Sequence, residues 1–178
     1  MAYYHWASGP VILRKRNYLQ CGHPKPNGFW FDIDESWKQW CRAVQFNLKD
    51  LRYRHTVTIL DSSRMLILRN PKSVDVFTRE YGRNFSIHIQ PLQSTGEAGA
   101  FAQQYGLDLF GDIQRQFSNY IMWEEVAEKY GGIIIDPYLR SRSQKYLWYH
   151  GWNCPGGCIW DTSVIRLGKP YEQAGSLK

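Results

Sequence analysis

The N-terminal third of the sequence contains several tryptophans, which can stack on a planar ring. It also contains a histidine, which can hydrogen-bond a group next to that ring. His5 stands in a short aromatic run, and tryptophans follow at Trp30, Trp37 and Trp40. Indole faces stack on planar rings, and an imidazole nitrogen donates or accepts a hydrogen bond. A carboxylate near such a pair would stabilise positive charge that develops on a reacting sugar. The chemistry indicated is placement of a planar ring next to an electrostatic partner.

The motifs come in a recognisable order. His5-Trp6-Ala7-Ser8 lies near the N-terminus, Gly28-Phe29-Trp30-Phe31 follows on a second predicted strand, and Trp40 falls on the next predicted helix. This order resembles the His-Tyr-acid branch of the ADP-ribosyltransferase superfamily, the branch of diphtheria-toxin-like and poly(ADP-ribose)-polymerase-like enzymes. The chain departs from that pattern because Trp6 stands where the branch has Gly, and Trp30 stands where it has Tyr.

The resemblance implies a set of binding residues for NAD as co-substrate. His5 would bond the ribose hydroxyl, and the backbone that starts at Trp6 would bind the carboxamide. The ring would be clamped by tryptophans. The implied NAD-binding residues are Trp6, Ala7, Ser8, Trp30, Phe31 and Trp40. In this interpretation His5 and Trp30 face one cleft from neighbouring strands.

The third catalytic residue is an acid or amide, for which the sequence offers three candidates. In polymerase-like members a Glu begins a late strand, and Gly156 occupies the matching position here. The apolar strand before Asp136 resembles the Gly-Gly-aliphatic strand that precedes an Asp in some small members. Pro137 cannot continue a paired central strand, so Asp136 is expected at its exit. Asp136 is our catalytic candidate with His5, and Asn153 and Asp161 are the alternatives.

The resemblance implies mono-ADP-ribosyl transfer from NAD to a macromolecule, either protein or nucleic acid, by a small bacterial or phage effector or toxin. A different class of function is open: an inactive transferase fold whose basic, aromatic surface binds nucleic acid or a partner protein. Hydrolysis of NAD without transfer is a third option. Each motif also has a structural interpretation, since tryptophans at helical spacing are often core residues.

Composition limits the class of protein. The formal net charge of +6 favours anionic partners. No apolar run approaches the ~20 residues that a membrane span needs, and no signal segment is evident, so a cytoplasmic location is expected. The four cysteines are expected to be free thiols. Cys154 and Cys158 follow His150, but no second CxxC pair is present, so we predict no metal site.

The pattern of elements predicts one α+β domain over residues 1–168 and a loose polar tail over 169–178. Strands and helices do not alternate regularly, which argues against a doubly wound sheet. The resemblance adds a split mixed β-sheet core with flanking short helices. Strands are predicted around residues 3–7, 29–31, 51–60, 65–68, 133–135, 146–149 and 158–160. Helices are predicted after Asp34 or Ser36, after Asn70 and at Met122, with two short helices between 96 and 117.

Overall fold

The computed structural model describes residues 1–20, 24–84 and 119–173 of the 178-residue chain. The strands are β1 (Tyr3–Ala7), β2 (Phe29–Ile33), β3 (Tyr53–Ile59), β4 (Met65–Leu68), β5 (Gly82–Arg83), β6 (Tyr120–Ile121), β7 (Gly132–Ile135), β8 (Gly156–Ile159), β9 (Ile165–Leu167) and β10 (Tyr171–Glu172). The α-helices are α1 (Ser36–Val44), α2 (Pro71–Tyr81), α3 (Trp123–Lys129) and α4 (Arg140–Ser143). Short 3₁₀ turns cover Leu48–Leu51, Ser62–Arg64, Leu147–Gly151 and Thr162–Val164.

One mixed sheet carries most of the strands. Its order is β10-β3-β1-β2-β8-β7-β4, and β9 also pairs with β3. The β4–β7 pair is parallel and the other pairs of this sheet are antiparallel. Strands β5 and β6 form a separate two-stranded sheet. The predicted α+β class is therefore confirmed, with a mixed sheet and four α-helices in the described part of the chain.

Local sequence patterns explain the clearest elements. In β3, His55 and Val57 are buried while Thr56 and Thr58 are exposed, as the predicted alternation requires. Helix α2 begins at a capping box, because the Asn70 side chain accepts the backbone N–H of Ser73. These two elements match the predicted strand and helix closely.

The sheet opens between β1 and β2. Their ladder joins Tyr3 to Ile33 and Tyr4 to Asp32, whereas β1 continues to pair with β3 as far as Ala7. At the opening the His5 ring occupies the place of the ladder, with Nδ1 2.7 Å from the carbonyl oxygen of Trp30. The separation leaves space for a cavity beside two central strands.

Apolar side chains pack on both faces of the sheet. One face carries an aromatic cluster in which Trp148 and Tyr149 are almost wholly buried. The other face carries a cluster built around Phe29, Phe31 and Ile159. A third, small cluster joins Trp6 and Cys41 beneath α1. The third cluster borders the cavity described below.

Three sequence predictions about elements need comment. The segment 146–149 was predicted as a strand, but Leu147–Gly151 forms a 3₁₀ turn whose Trp148 and Tyr149 rings are buried. Within the tail predicted to be loose from 169, Tyr171–Glu172 forms β10, which pairs with β3. The two helices predicted between 96 and 117 lie outside the described residues.

Candidate functional site

A cavity of about 1050 Å³ lies beside the opening between β1 and β2. Aromatic side chains dominate its wall, and the cavity is large enough for a drug-sized or nucleotide-sized ligand. Five tryptophans are among the lining residues: Trp6, Trp30, Trp37, Trp40 and Trp152. Such a wall suits a planar ligand, and suits a planar cation best, because indole faces attract positive charge.

Asp32 is a buried carboxylate in this cavity. Its side chain is 2% exposed and lines the cavity with the tryptophans. Oδ2 accepts the indole N–H of Trp6 at 3.2 Å and the backbone N–H of Trp37 at 2.8 Å. Oδ1 is buried and has no hydrogen-bond partner among the described residues. A carboxylate in this state favours a cationic or hydrogen-donating ligand.

The environment of Asp32 changes its acidity. Burial raises the pKa of Asp32 from an ordinary 3.8 to about 6, against the opposing effect of the bond from the Trp37 N–H. Near neutral pH the group therefore lies close to the point at which it gains or loses a proton. Perturbed carboxyl groups in clefts are typical of functional sites.

Helix α1 forms one wall of the cavity. Trp37 and Trp40, three residues apart, stack with ring centroids 5.0 Å apart and an interplanar angle of 17°. The exposed Phe46, just beyond the helix, meets both rings edge-on. Because Asp32 accepts the N–H of Trp37, the same carboxylate that lines the cavity also holds the first turn of this helix in place.

The opposite wall comes from the segment before β8. Trp152 packs against Trp30 with ring centroids 4.9 Å apart. Its indole N–H is buried and finds no acceptor in the described part of the chain. The cavity is therefore lined by residues carrying an unused acceptor, Asp32 Oδ1, and an unused donor, Trp152 Nε1.

His5 borders the cavity at the opening of the sheet. A carbonyl oxygen only accepts hydrogen bonds, so Nδ1 of His5 carries the proton and donates to Trp30. Burial lowers the pKa of His5, and the nearby His55 acts in the same direction. The ring is therefore neutral at neutral pH, with Nε2 as an acceptor.

His5 and Trp30 lie on neighbouring strands, as predicted, and both line the cavity. Their side chains nevertheless leave opposite faces of the sheet. The His5 ring lies against Phe29, at a centroid distance of 4.1 Å, whereas Trp30 packs on Trp152. The expectation that both side chains leave the sheet toward one cleft is therefore wrong; His5 instead bonds the backbone of Trp30 at the opening of the sheet.

The other residues implied by the resemblance divide into two groups. Trp6, Phe31 and Trp40 line the cavity together with His5 and Trp30. Ala7 and Ser8 are not among its lining residues; Ala7 pairs with Tyr53 of β3. The aromatic part of the predicted site is thus brought together.

Asp136 does not reach this cavity. It stands at the exit of β7, as predicted, but β2 and β8 lie between β7 and β1. At about 4.8 Å per strand, its backbone is roughly 14 Å from β1. The expected placement of Asp136 opposite His5 is therefore corrected.

The two alternative candidates for the third catalytic residue, Asn153 and Asp161, also differ in whether they line the cavity. Asn153 lines the cavity. Asp161 is engaged elsewhere: it accepts hydrogen bonds from Arg64 at 2.6 Å and from the backbone N–H of Ser163 at 2.9 Å.

Sequence reasoning missed Asp32, although one signal was available. It is the single charged residue of the strand Phe29–Ile33, and alternation puts it on the face of Trp30.

One cysteine, Cys154, is among the residues that line the cavity. Cys41, Cys154 and Cys158 have free thiols, and Cys21 lies outside the described residues. Burial raises the pKa of Cys154, which lines the cavity, to about 11, so its thiol is protonated at neutral pH. Over the described ranges, no three His, Cys, Asp or Glu side chains cluster as metal ligands.

Among the described residues, no helix is long and apolar enough to cross a membrane.

Comparison with protein-family models, with curated proteins and with solved structures found no match for this chain.

Proposed function

We propose that the cavity binds the oxidised nicotinamide ring of NAD and that the protein transfers ADP-ribose from NAD to a macromolecule. The observation that carries the proposal is Asp32, a buried carboxylate with one unpartnered oxygen in a cavity lined by five tryptophans. Oxidised nicotinamide is a planar cation with a carboxamide. Its ring suits the indole faces, and its charge suits the carboxylate.

The same arrangement favours cleavage of the bond between nicotinamide and ribose. As that bond breaks, positive charge moves from the ring to the sugar, and neutral nicotinamide leaves. A fixed carboxylate that stays close to the sugar stabilises this developing charge more than it stabilises the bound substrate. In this mechanism Asp32 takes the role that the sequence assigned to Asp136. His5, with a neutral ring and a free acceptor nitrogen, is available to a ribose hydroxyl.

The acceptor approaches at the rim formed by the end of α1. Val44 and Phe46 are 52% and 45% exposed there, and Phe46 also lines the cavity. Exposed apolar side chains next to a ligand cavity suit contact with a macromolecule. Reaction with labelled NAD distinguishes a protein acceptor from a nucleic acid acceptor, because the label is transferred to the macromolecule that is modified.

A binding module without catalysis is the second candidate. The observation that favours it is the distance of Asp136 from the cavity, together with the opposite directions of the His5 and Trp30 side chains. In that case the cavity would hold a ligand through its aromatic wall and Asp32 alone. Measurements of binding and turnover on the same samples separate the two candidates.

The test compares Asp32→Asn with Asp136→Asn. Both variants remove one carboxylate, one inside and one outside the cavity. Release of nicotinamide from NAD, with a cell extract as acceptor source, should fall about 100-fold or more in Asp32→Asn, the usual scale for loss of one electrostatic partner. It should remain near the wild-type rate in Asp136→Asn.

Calorimetric titration with NAD completes the experiment. Binding by the wild type without nicotinamide release would favour the inactive module. No binding of NAD by the wild type would overturn the proposal. A fall in turnover in Asp136→Asn but not in Asp32→Asn would return the catalytic role to Asp136.

A further inference from the structure

Lys25 is an exposed cation at the cavity wall. It lies between Pro24 and Pro26, whose rings restrict the backbone on both sides. The Pro24 carbonyl accepts the indole N–H of Trp123 at 3.1 Å, and the thiol of the buried Cys158 lies 3.7 Å from the Pro26 carbonyl. The backbone that carries Lys25 is thereby attached to the aromatic core.

The side-chain stem of Lys25 lies against Gly151. A Cβ added at Gly151 would lie 2.4 Å from Cε and 2.6 Å from both Cδ and Cγ of Lys25. The lysine stem thus lies flat on the glycine, in space that any other residue would fill. Both residues line the cavity, and Gly151 directly precedes Trp152 of the cavity wall.

The ammonium group of Lys25 forms no ion pair with an acid in the described residues. Lys38, which lies over the Trp6 ring, is different because it pairs with Glu35 at 2.9 Å. Lys25 is exposed, so its ammonium remains available to a ligand that enters the cavity. An anionic group bound in the cavity would supply the missing partner.

We propose that Lys25, supported by Gly151, binds a phosphate group of the ligand in this cavity. This inference rests on the proposed function, since NAD carries a pyrophosphate between its two nucleosides. It adds a specificity: the site selects phosphate-bearing nucleotides over the corresponding nucleoside. The tryptophans and Asp32 hold the ring, and Lys25 holds the phosphate.

The experiment measures binding of NAD, nicotinamide riboside and inorganic pyrophosphate to the wild type, Lys25→Gln, Gly151→Ala and Lys72→Gln. Lys72 lies on α2, is exposed and is not a cavity residue, so Lys72→Gln controls for the change in net charge. We expect Lys25→Gln to weaken NAD binding at least about tenfold, the usual scale for a charged hydrogen bond, and to leave nicotinamide riboside unchanged. Gly151→Ala should act in the same direction, because its methyl group displaces the lysine stem.

The outcomes separate this inference from the proposed function. Equal weakening of NAD and nicotinamide riboside by Lys25→Gln, or no weakening of either, would overturn the phosphate subsite and leave NAD binding in place. If the wild type binds neither NAD nor the riboside, the proposed function fails. Pyrophosphate then decides the subsite: binding that Lys25→Gln abolishes supports it, and binding unaffected by that change, or none at all, overturns it.

Discussion

Asp32 connects local structure to the candidate chemistry. Its Oδ2 satisfies a backbone N–H at the start of α1 and the Trp6 indole, which fixes the carboxylate. Its Oδ1 is buried and has no hydrogen-bond partner in the part of the chain that the structure describes. A group that destabilises the empty protein in this way is typical of sites where a ligand supplies the missing interaction.

The first prediction concerns stability against pH in Asp32→Asn. In the folded protein the pKa of Asp32 is about 6, above its ordinary 3.8, so the folded state keeps a proton that the unfolded state has released. The wild-type free energy of unfolding therefore falls as pH rises from about 4 to about 6, by about 3 kcal/mol for a shift of this size. Asparagine has no such titration, and its single carbonyl oxygen can accept both bonds that Oδ2 now accepts.

Urea denaturation of the two proteins at pH 4, 5, 6 and 7 tests this prediction. The variant should gain stability relative to the wild type across the series. The pKa of His5 is lowered by burial, but His5 is present in both proteins, so its contribution cancels in the difference. A difference that stays constant from pH 4 to pH 7 would contradict the role assigned to Asp32.

At the scale of elements, the sequence was informative wherever one periodicity dominated. The alternation in β3 and the capping residues of α2 led to correct elements. The 3₁₀ turn at Leu147–Gly151 was missed because a run of aromatic residues has no period, and its conformation depends on burial in the aromatic core. The opening between β1 and β2 is equally a tertiary feature.

The candidate site was also predicted only in part from the sequence. Its aromatic residues could be predicted, because Trp30, Trp37 and Trp40 lie on a short strand and on one helix close in sequence. The sequence could not decide which carboxylate belongs to the site, because Asp136 follows one apolar strand and Asp32 lies within another. Only the strand order shows that β2, and not β7, borders the cavity.

The second prediction concerns the glycine pair of β8. Strand β8 lies between β2 and β7, and a Cβ at Gly157 would lie 2.4 Å from the Ile133 carbonyl oxygen and 2.5 Å from the Phe31 ring. Gly157→Ala therefore overpacks the sheet and should lower the free energy of unfolding by about 1–3 kcal/mol. Gly9→Ala is the matched control, since its added Cβ meets nothing within 4 Å.

Denaturation curves for both glycine variants provide the measurement. Gly9→Ala should stay within about 0.5 kcal/mol of the wild type, as surface substitutions usually do. Equal stability of Gly157→Ala and Gly9→Ala would show that β8 shifts without cost, and that the close approach of the three strands is not a constraint.

At the scale of the whole molecule, the sheet gathers distant parts of the chain around β3. On one side β3 pairs with β1, and on the other it pairs with β9 and β10 from the C-terminal end. The aromatic cluster on one face then joins the sheet to α2 and α3. Contacts of this kind are long-range in sequence, so they form late relative to local helices and depend on a few buried anchors.

The third prediction concerns such an anchor, His55. It is wholly buried in β3; Nε2 accepts the backbone N–H of Val11 at 3.1 Å, and Nδ1 donates to the Gly168 carbonyl oxygen at 3.0 Å. The imidazole thereby attaches both the segment after β1 and the segment after β9 to the centre of the sheet. His55→Leu keeps an apolar side chain of similar size but leaves both backbone groups without a partner.

Each unsatisfied backbone group costs about 1–3 kcal/mol, so His55→Leu should lower the free energy of unfolding by about 2–5 kcal/mol. His150→Leu, at an exposed position, is the control and should change it by less than about 0.5 kcal/mol. Hydrogen exchange adds a local measurement, because the amide of Val11 should lose its protection in His55→Leu before the amides of β7 do. If Val11 stays protected while global stability is unchanged, His55 is a packing residue and the two segments are held by the strand ladders alone.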